Sequence, residues 1–176
     1  PDTKRVLGPD KLKQRVTVPM FRKSFTVNKT ITNATVFISG LGQYEMTING
    51  KKIGNSFLAP GWTHYDKRVL YNAYNVTADL KNGENTMGVI VGNGFFNVSR
   101  ERYIKLAIAY GYPKMICKMI ITYANGTSSI IVSDNTWKTI PSPITFSSIY
   151  GGEDYDANLE KQGWDKSGYD DAAWKK

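Results

Sequence analysis

Short segments in which apolar and polar residues alternate recur along the chain from about residue 20 to residue 150. Successive side chains of a strand point to opposite faces of a sheet, so this alternation is typical of half-buried β-strands. Clear examples are residues 34–39, 44–48 and 114–123. Residues 86–91 are apolar almost throughout, which predicts a strand buried on both faces. No segment keeps a helical period over ten residues, so the pattern predicts an all-β protein.

Turn residues separate these segments. Asn49-Gly50 and Asn125-Gly126 each lie between two alternating segments and predict tight hairpins, because the turn needs positive φ. About ten short strands at intervals of roughly 8–15 residues favour an antiparallel sandwich or barrel. We prefer a jelly-roll β-sandwich. A single cysteine excludes the disulfide framework of an immunoglobulin domain.

Length and composition limit the chain to one domain with tails. It has 176 residues, of which 41% are hydrophobic and 12% aromatic, and this excludes a disordered chain. No apolar run approaches the ~18 residues of a membrane helix, so no membrane insertion is expected. Residues 1–19 are charged and without period, and we interpret them as a linker or lead-in to a domain at residues 20–176. The chain begins without Met and reads as a piece of a longer protein.

Charge and metal-ligand content weaken two further classes of function. The net charge of +8 hints at an anionic partner, but the cations are scattered and no nucleic-acid-binding motif is present. With only His64 and Cys117, a Cys/His zinc site is not expected. Cys117 lies in an apolar series of alternating residues, which predicts a buried thiol.

The long loop after the first predicted hairpin is rich in aromatic residues. It carries Trp62, His64 and Tyr65 before a β-type segment, residues 68–71, resumes the sheet. Ordered loops of this kind on a β scaffold often hold binding groups. The alternative is that Trp62 and Tyr65 only close the end of the sandwich core.

A series of motifs in this order resembles the N-terminal domain of bacterial α-L-rhamnosidases over about residues 20–174. The motifs are Phe21-Arg-Lys-Ser-Phe25, Gly42-Gln-Tyr44, Ile48-Asn-Gly50, Pro60-Gly-Trp-Thr63, Tyr65, Asn75-Val-Thr77, Gly92-Asn-Gly94, Tyr110-Gly111, Gly152-Glu-Asp-Tyr-Asp156 and Gly163-Trp164. The resemblance implies a jelly-roll sandwich of the galactose-binding type, placed ahead of a catalytic (α/α) toroid that carries the catalytic carboxylates. It also implies a periplasmic or extracellular location and, as in some members, calcium-dependent rhamnose binding.

Phe95, directly after the Gly92-Asn-Gly94 motif, is a candidate for stacking on the apolar face of a deoxy sugar. Relatives often carry Trp there, and Phe lacks the indole N–H donor. Asn75 stands where many relatives have Asp, which removes one charge from a nearby cation site.

Glu153, Asp154 and Asp156 form the densest acidic group of the chain. Carboxylates of this kind can bind a sugar or Ca²⁺. They can equally accept backbone N–H bonds and pair with an arginine, and catalysis by them is the third alternative. The predicted substrate-binding residues are therefore Phe95, Asn75, Trp62, Glu153 and Asp156. The predicted calcium ligands are Asn75, Asp154 and Asp156.

The sequence thus predicts a non-catalytic domain of an α-L-rhamnosidase-like glycoside hydrolase that assists recognition of terminal α-L-rhamnosides. Its expected partners are rhamnose-containing glycans and a downstream catalytic domain of the same chain. A structural packing domain without sugar affinity, and a basic nucleic-acid-binding β domain, are the alternatives.

Overall fold

The computed structural model describes residues 17–98, 102 and 108–176. Within them are thirteen strands: β1 (Pro19–Val27), β2 (Ile31–Leu41), β3 (Gln43–Ile48), β4 (Lys51–Lys52), β5 (Asn72–Asn75), β6 (Gly83–Gly92), β7 (Asn97–Val98), β8 (Ile108–Ala109), β9 (Lys114–Tyr123), β10 (Ser128–Val132), β11 (Lys138–Pro141), β12 (Ile144–Ser148) and β13 (Gly152–Tyr155). Two single 3₁₀ turns, Thr77–Asp79 and Ala157–Leu159, are the described helical segments. None of the described helices is long or apolar enough to span a membrane.

Two antiparallel sheets form the body of the domain. One has the strand order β11-β1-β6-β3-β4, and the other has the order β10-β9-β2-β5. The pairs β12-β13 and β7-β8 are separate two-stranded sheets. Neighbours in the sheets are often distant in sequence, as expected for a jelly-roll sandwich. The all-β sandwich prediction is confirmed.

The two predicted hairpins form with different turns. Asn49 and Gly50 both have positive φ, 53° and 82°, so β3 returns into β4 through a two-residue turn. In the β9–β10 hairpin only Gly126 is left-handed, with φ of 78°. The amide of Tyr123 donates to Thr127 across it (2.9 Å), so this loop has three residues.

Side chains from both sheets form one core. It contains alternate residues of the central strands, among them Val36, Ile38, Val89 and Met119. Cys117 belongs to this core and is only 3% exposed, which confirms its predicted burial. Burial, with a smaller effect of the nearby Asp134 charge, raises the pKa of the Cys117 thiol to about 12.

The C-terminal segment, residues 143–176, covers the outer face of the five-stranded sheet. Arg22 points to that face yet is 2% exposed, because this segment covers it. Its guanidinium donates to the carbonyl oxygens of Trp164 (2.8 Å) and Lys166 (3.0 Å). It also forms an ion pair with Asp171, which Lys138 contacts at 2.6 Å. Burial raises the pKa of Asp171, but Lys138 and Arg22 outweigh it and hold the pKa below its usual value.

Two predicted segments differ from the structure. Residues 68–71 are not a strand, because β5 begins only at Asn72. The Leu70 carbonyl accepts instead from the Ser39 hydroxyl at 2.7 Å. The predicted strand at residues 103–110 lies mainly outside the described residues, and its described part includes β8. Most of the predicted lead-in, residues 1–19, also lies outside them.

Candidate functional site

One end of the sandwich is built where β3 begins and β6 ends. Gln43 pairs with Gly92 there, and the chain then turns through Asn93 and Gly94. Gly94 has φ of 50°, and a Cβ on it would lie 2.9 Å from the Gln43 side chain. The tight turn therefore requires glycine at this position and places Phe95 at this end of the sandwich, which we call the rim.

Trp62, Phe95 and Tyr150 form an aromatic group that we call the rim stack. The rings of Trp62 and Phe95 are stacked, with centroids 4.3 Å apart and planes 11° apart. The Tyr150 ring meets Phe95 edge-on at 6.1 Å. Trp62 covers one face of Phe95 and is itself 55% exposed. The structure therefore brings Trp62 and Phe95 together and makes Trp62 the outer ring of the pair.

A second aromatic group fastens the long loop to the rim. Tyr65 contacts Phe96 (5.3 Å) and Tyr110 (5.5 Å) edge-on, and those two rings stack at 5.6 Å. Phe96 is buried. Burial, and then the neighbouring Tyr110, raise the pKa of Tyr65. These contacts give Tyr65 the core-closing role that was the alternative for the loop, whereas Trp62 remains largely exposed.

Buried amides connect the rim stack to Glu153. The Asn93 side chain donates to the Ser147 carbonyl (2.8 Å) and accepts from the Asn97 amide (3.1 Å). The Ser147 hydroxyl lies 3.3 Å from the Glu153 carboxylate. Glu153 is exposed, so its carboxylate can accept further hydrogen bonds. Through this chain Glu153 belongs to the same end of the sandwich as the rim stack.

The other two acidic residues are engaged within the domain. Asp154 forms an ion pair with Arg102, whose guanidinium lies over the Phe146 ring at 4.3 Å. Asp156 caps the 3₁₀ turn that follows it, accepting from the Asn158 backbone amide (3.0 Å) and side-chain amide (2.9 Å). These are the contacts expected of the structural alternative for the acidic group.

Asn75 lies near the opposite end of the sandwich. Its side-chain oxygen accepts from the Thr77 amide (3.0 Å) and hydroxyl (2.7 Å), and it pairs with Thr35 in the sheet. Thr35 is six residues from Leu41, which ends β2 at the rim, and at ~3.3 Å per residue this is about 20 Å. Asn75 therefore does not join Phe95 and Trp62 in one site.

The structure does not bring the three predicted calcium ligands together. Asn75 lies away from the rim, and Asp154 and Asp156 have the partners described above. Among residues 17–98, 102 and 108–176, no three His, Cys, Asp or Glu side chains are grouped closely enough to hold a metal ion. Calcium binding stays a prediction.

Comparison with known proteins decides the family. The sequence profile of the α-L-rhamnosidase N-terminal domain matches residues 29–176. The chain belongs to this family. It is 42% identical over 158 residues to an α-L-rhamnosidase of Formosa agariphila, and the match covers 88% of this chain and 17% of that protein.

Two solved α-L-rhamnosidases contain the same fold. The enzyme from Dictyoglumus thermophilum is 44% identical with a TM-score of 0.82, over 90% of this chain and 17% of that one. The enzyme from Streptomyces avermitilis, solved in complex with L-rhamnose, is 32% identical with a TM-score of 0.85, over 92% of this chain and 16% of that one. This chain thus spans about one sixth of the length of the rhamnosidases that it matches.

Sequence reasoning missed three residues of the rim. Asn93 lies inside a motif that carried the family resemblance, and its flanking glycines were a usable signal of a specialised turn. Ser147 and Tyr150 had no local signal, because only the position of the β12–β13 hairpin brings them to the Gly92–Gly94 turn.

Proposed function

We propose that the domain assists an α-L-rhamnosidase by binding a terminal α-L-rhamnose residue at the rim stack. The observation that carries the proposal is the exposed Trp62 ring held parallel to Phe95 at 4.3 Å. A ring that is already stacked on one side is fixed in orientation, so a sugar that stacks on its exposed part meets a pre-ordered surface.

The chemistry of the rim suits a 6-deoxy sugar. The apolar face and the 6-methyl group of rhamnose would contact the Trp62 ring, and the indole N–H of Trp62 can donate a hydrogen bond. This N–H donor compensates for the lack of an indole N–H at Phe95, where relatives often carry Trp. The exposed Glu153 carboxylate can accept from sugar hydroxyl groups. The Asn93 side chain holds the turn by donating to the Ser147 carbonyl, and the Ser147 hydroxyl adjoins the Glu153 carboxylate, so these contacts position the groups.

We expect weak affinity. One stacking ring and a few exposed hydrogen bonds would contribute ~4–5 kcal/mol, which corresponds to a Kd of ~0.2–1 mM. Such a site is useful when it is tethered to a catalytic domain of the same chain, because tethering raises the local concentration of the glycan. In this proposal the rest of the enzyme hydrolyses terminal α-L-rhamnosides.

A titration with L-rhamnose, followed by calorimetry and by NMR shifts, tests the proposal. We expect saturation in the millimolar range, and Trp62→Ala and Glu153→Gln are each expected to weaken binding at least about threefold. Phe57→Ala is the matched control, since Phe57 is an exposed aromatic residue of the same loop outside the rim stack. Repeating the titration with calcium and with a chelator tests the predicted cation dependence.

Two comparisons sharpen the result. L-Mannose differs from L-rhamnose in having a hydroxymethyl group where rhamnose has the 6-methyl group. It should bind more weakly if that methyl group contacts Trp62. An absence of heat and shift changes up to tens of millimolar, or an unchanged Kd for Trp62→Ala, would reject the site.

A packing domain without sugar affinity is the second candidate. This candidate is favoured because Asp154 and Asp156 both have partners inside the domain. Of the three predicted acidic residues, Glu153 is then the one exposed at the rim for a sugar. Rejection of the sugar site in the titration would support this candidate.

A further inference from the structure

The outer face of the four-stranded sheet is apolar and uncovered. We call it the open face; it comprises Phe37, Ile116, Ile120, Ile130, Val132 and the adjoining Tyr71. Ile116 is 68% exposed, Ile130 is 59% exposed and Tyr71 is 66% exposed. Clustered β-branched residues at this exposure are unusual on a monomeric protein and mark interaction surfaces.

The strand register makes these residues neighbours. Ile130 pairs with Ile120 across β10 and β9, and Phe37 pairs with Lys118 across β2 and β9. Adjacent strands lie ~4.8 Å apart, so these apolar side chains surround Lys118, which pairs with both Phe37 and Val132. The Tyr71 ring meets Phe37 edge-on at 6.1 Å and extends the patch onto the long loop. A groove of about 370 Å³ runs between Phe37, Tyr71, Ile116 and Val132.

The opposite sheet shows how this fold treats an outer sheet face. There Met20 and Arg22 point outward but are almost fully buried, because residues 143–176 cover them. In the described part of the chain no comparable segment lies over Ile116 and Ile130. The open face is therefore the sheet surface that this domain leaves for something else to cover.

We infer that the open face docks against another domain of the same polypeptide. This chain corresponds to 14–19% of the length of the α-L-rhamnosidases that it matches, so in those proteins most of the polypeptide lies outside this domain. Domains of one chain meet over ~600–1,500 Å², an area that one sheet face can supply. The inference goes beyond the proposed sugar site and does not depend on it.

Charge specifies the partner surface and disfavours a second copy. Lys114 and Lys118 lie in the same row as Ile116, and the four strands of this sheet contain no aspartate or glutamate. A symmetric dimer would place the same patch on both sides and would bring these lysines toward each other. A docking domain should instead present apolar side chains beside carboxylates.

The test measures the chemical accessibility of the face. Ile130→Cys introduces a thiol at an exposed position, and the chain's other thiol, Cys117, is buried. We compare its rate of maleimide labelling, followed by peptide mass spectrometry, in this chain and in the full-length polypeptide. Docking predicts labelling at least tenfold slower in the full-length polypeptide. Lys51→Cys is the matched control, because Lys51 is 74% exposed on the other sheet and should label equally fast in both.

Further arms separate the possible occupants. Lys118→Glu should restore much of the labelling at position 130 in the full-length polypeptide, because it opposes the expected carboxylates. Equal rates in the two proteins would overturn the inference. So would labelling of the isolated chain that slows as its concentration rises, which indicates a second copy. The same labelling of position 130 is measured in the 176-residue chain after removal of residues 1–16. Faster labelling than in the intact chain would assign the open face to this chain's own N-terminal stretch and would also overturn the inference. Rhamnose binding serves as the separate readout of the rim.

Discussion

Replacing Arg22 with methionine should destabilise the domain more than any surface charge change. The guanidinium is 2% exposed and connects β1 to three points of the C-terminal segment: the carbonyl oxygens of Trp164 and Lys166 and the carboxylate of Asp171. Methionine keeps most of the apolar stem but leaves both carbonyl groups without their charged donor. The C-terminal segment would lose its main polar attachment to the sheet.

The expected loss is about 3 kcal/mol. Removing one member of a buried ion pair costs ~3–5 kcal/mol, because the remaining charge is left uncompensated. The lower end applies here, since the Asp171 side chain is 22% exposed and keeps Lys138 as a partner at 2.6 Å. For a domain of this size ~1 kcal/mol corresponds to ~2–4 °C, so the melting temperature should fall by about 6–12 °C.

Thermal and urea unfolding, followed by circular dichroism and by tryptophan fluorescence, measure this loss. Trp164 and Trp174 stack at 6.1 Å within the attached segment, so fluorescence reports on its release. Lys51→Met is the control, because its exposed pair with Asp79 should contribute only a few tenths of a kcal/mol. A loss below about 1 kcal/mol for Arg22→Met would show that the desolvation of Arg22 cancels its contacts, and would refute the reasoning.

Four other outcomes follow from single contacts. The pKa of Asp171 is held below its ordinary 3.8, so the stability that its charge contributes is present above about pH 4 and is lost as the pH falls through the folded-state pKa. In Asp171→Asn the free energy of unfolding should therefore fall less steeply as the pH is lowered through this range. Gly42→Ala should cost about 3 kcal/mol or more in urea unfolding, because φ is 125° and a Cβ would lie 2.2 Å from the Gly92 carbonyl oxygen; Gly126→Ala, with open space around it, should cost only about 1–2 kcal/mol, and equal losses would contradict the steric argument. Tyr44→Phe should cost about 1 kcal/mol by removing the hydroxyl that meets Asn72 (2.9 Å) and Tyr74 (3.3 Å), and an unchanged stability would show that these bonds contribute nothing net. Alkylation of Cys117 at pH 8 should be on the order of 100-fold slower in the folded protein than in urea, and fast alkylation of the folded protein would disprove its burial.

Local sequence chemistry was sufficient for most of the long strands and for several turns. Alternation along residues 114–123 predicted β9 with its observed bounds, because a strand between core and solvent needs one apolar face. Asn49 and Gly50 are among the few residues that adopt positive φ readily, so their turn was also predictable. The motifs quoted from the sequence were sufficient for the family, which the comparisons confirm.

The candidate site was only partly predictable. Trp62 and Phe95 were both selected for aromatic chemistry, but their stacking joins residues 33 positions apart and depends on how the long loop folds over the Gly92–Gly94 turn. Asn75 was selected by its place in a motif, whereas in the structure a local bond to Thr77 uses its side chain about 20 Å from the rim. A motif shows which residues occur together in a family, and it carries no information on their separation in space.

The chain by itself determined most of the strands, where the two hairpins turn and which residues are apolar enough to be buried. These properties follow from backbone conformation and from side-chain alternation, both of which act over a few residues. Only the tertiary structure decided that Arg22 is buried beneath Trp164 while Ile130 remains exposed. Burial of an outer sheet face depends on which distant segment lies across it, and strand alternation is the same whether that face meets protein or water.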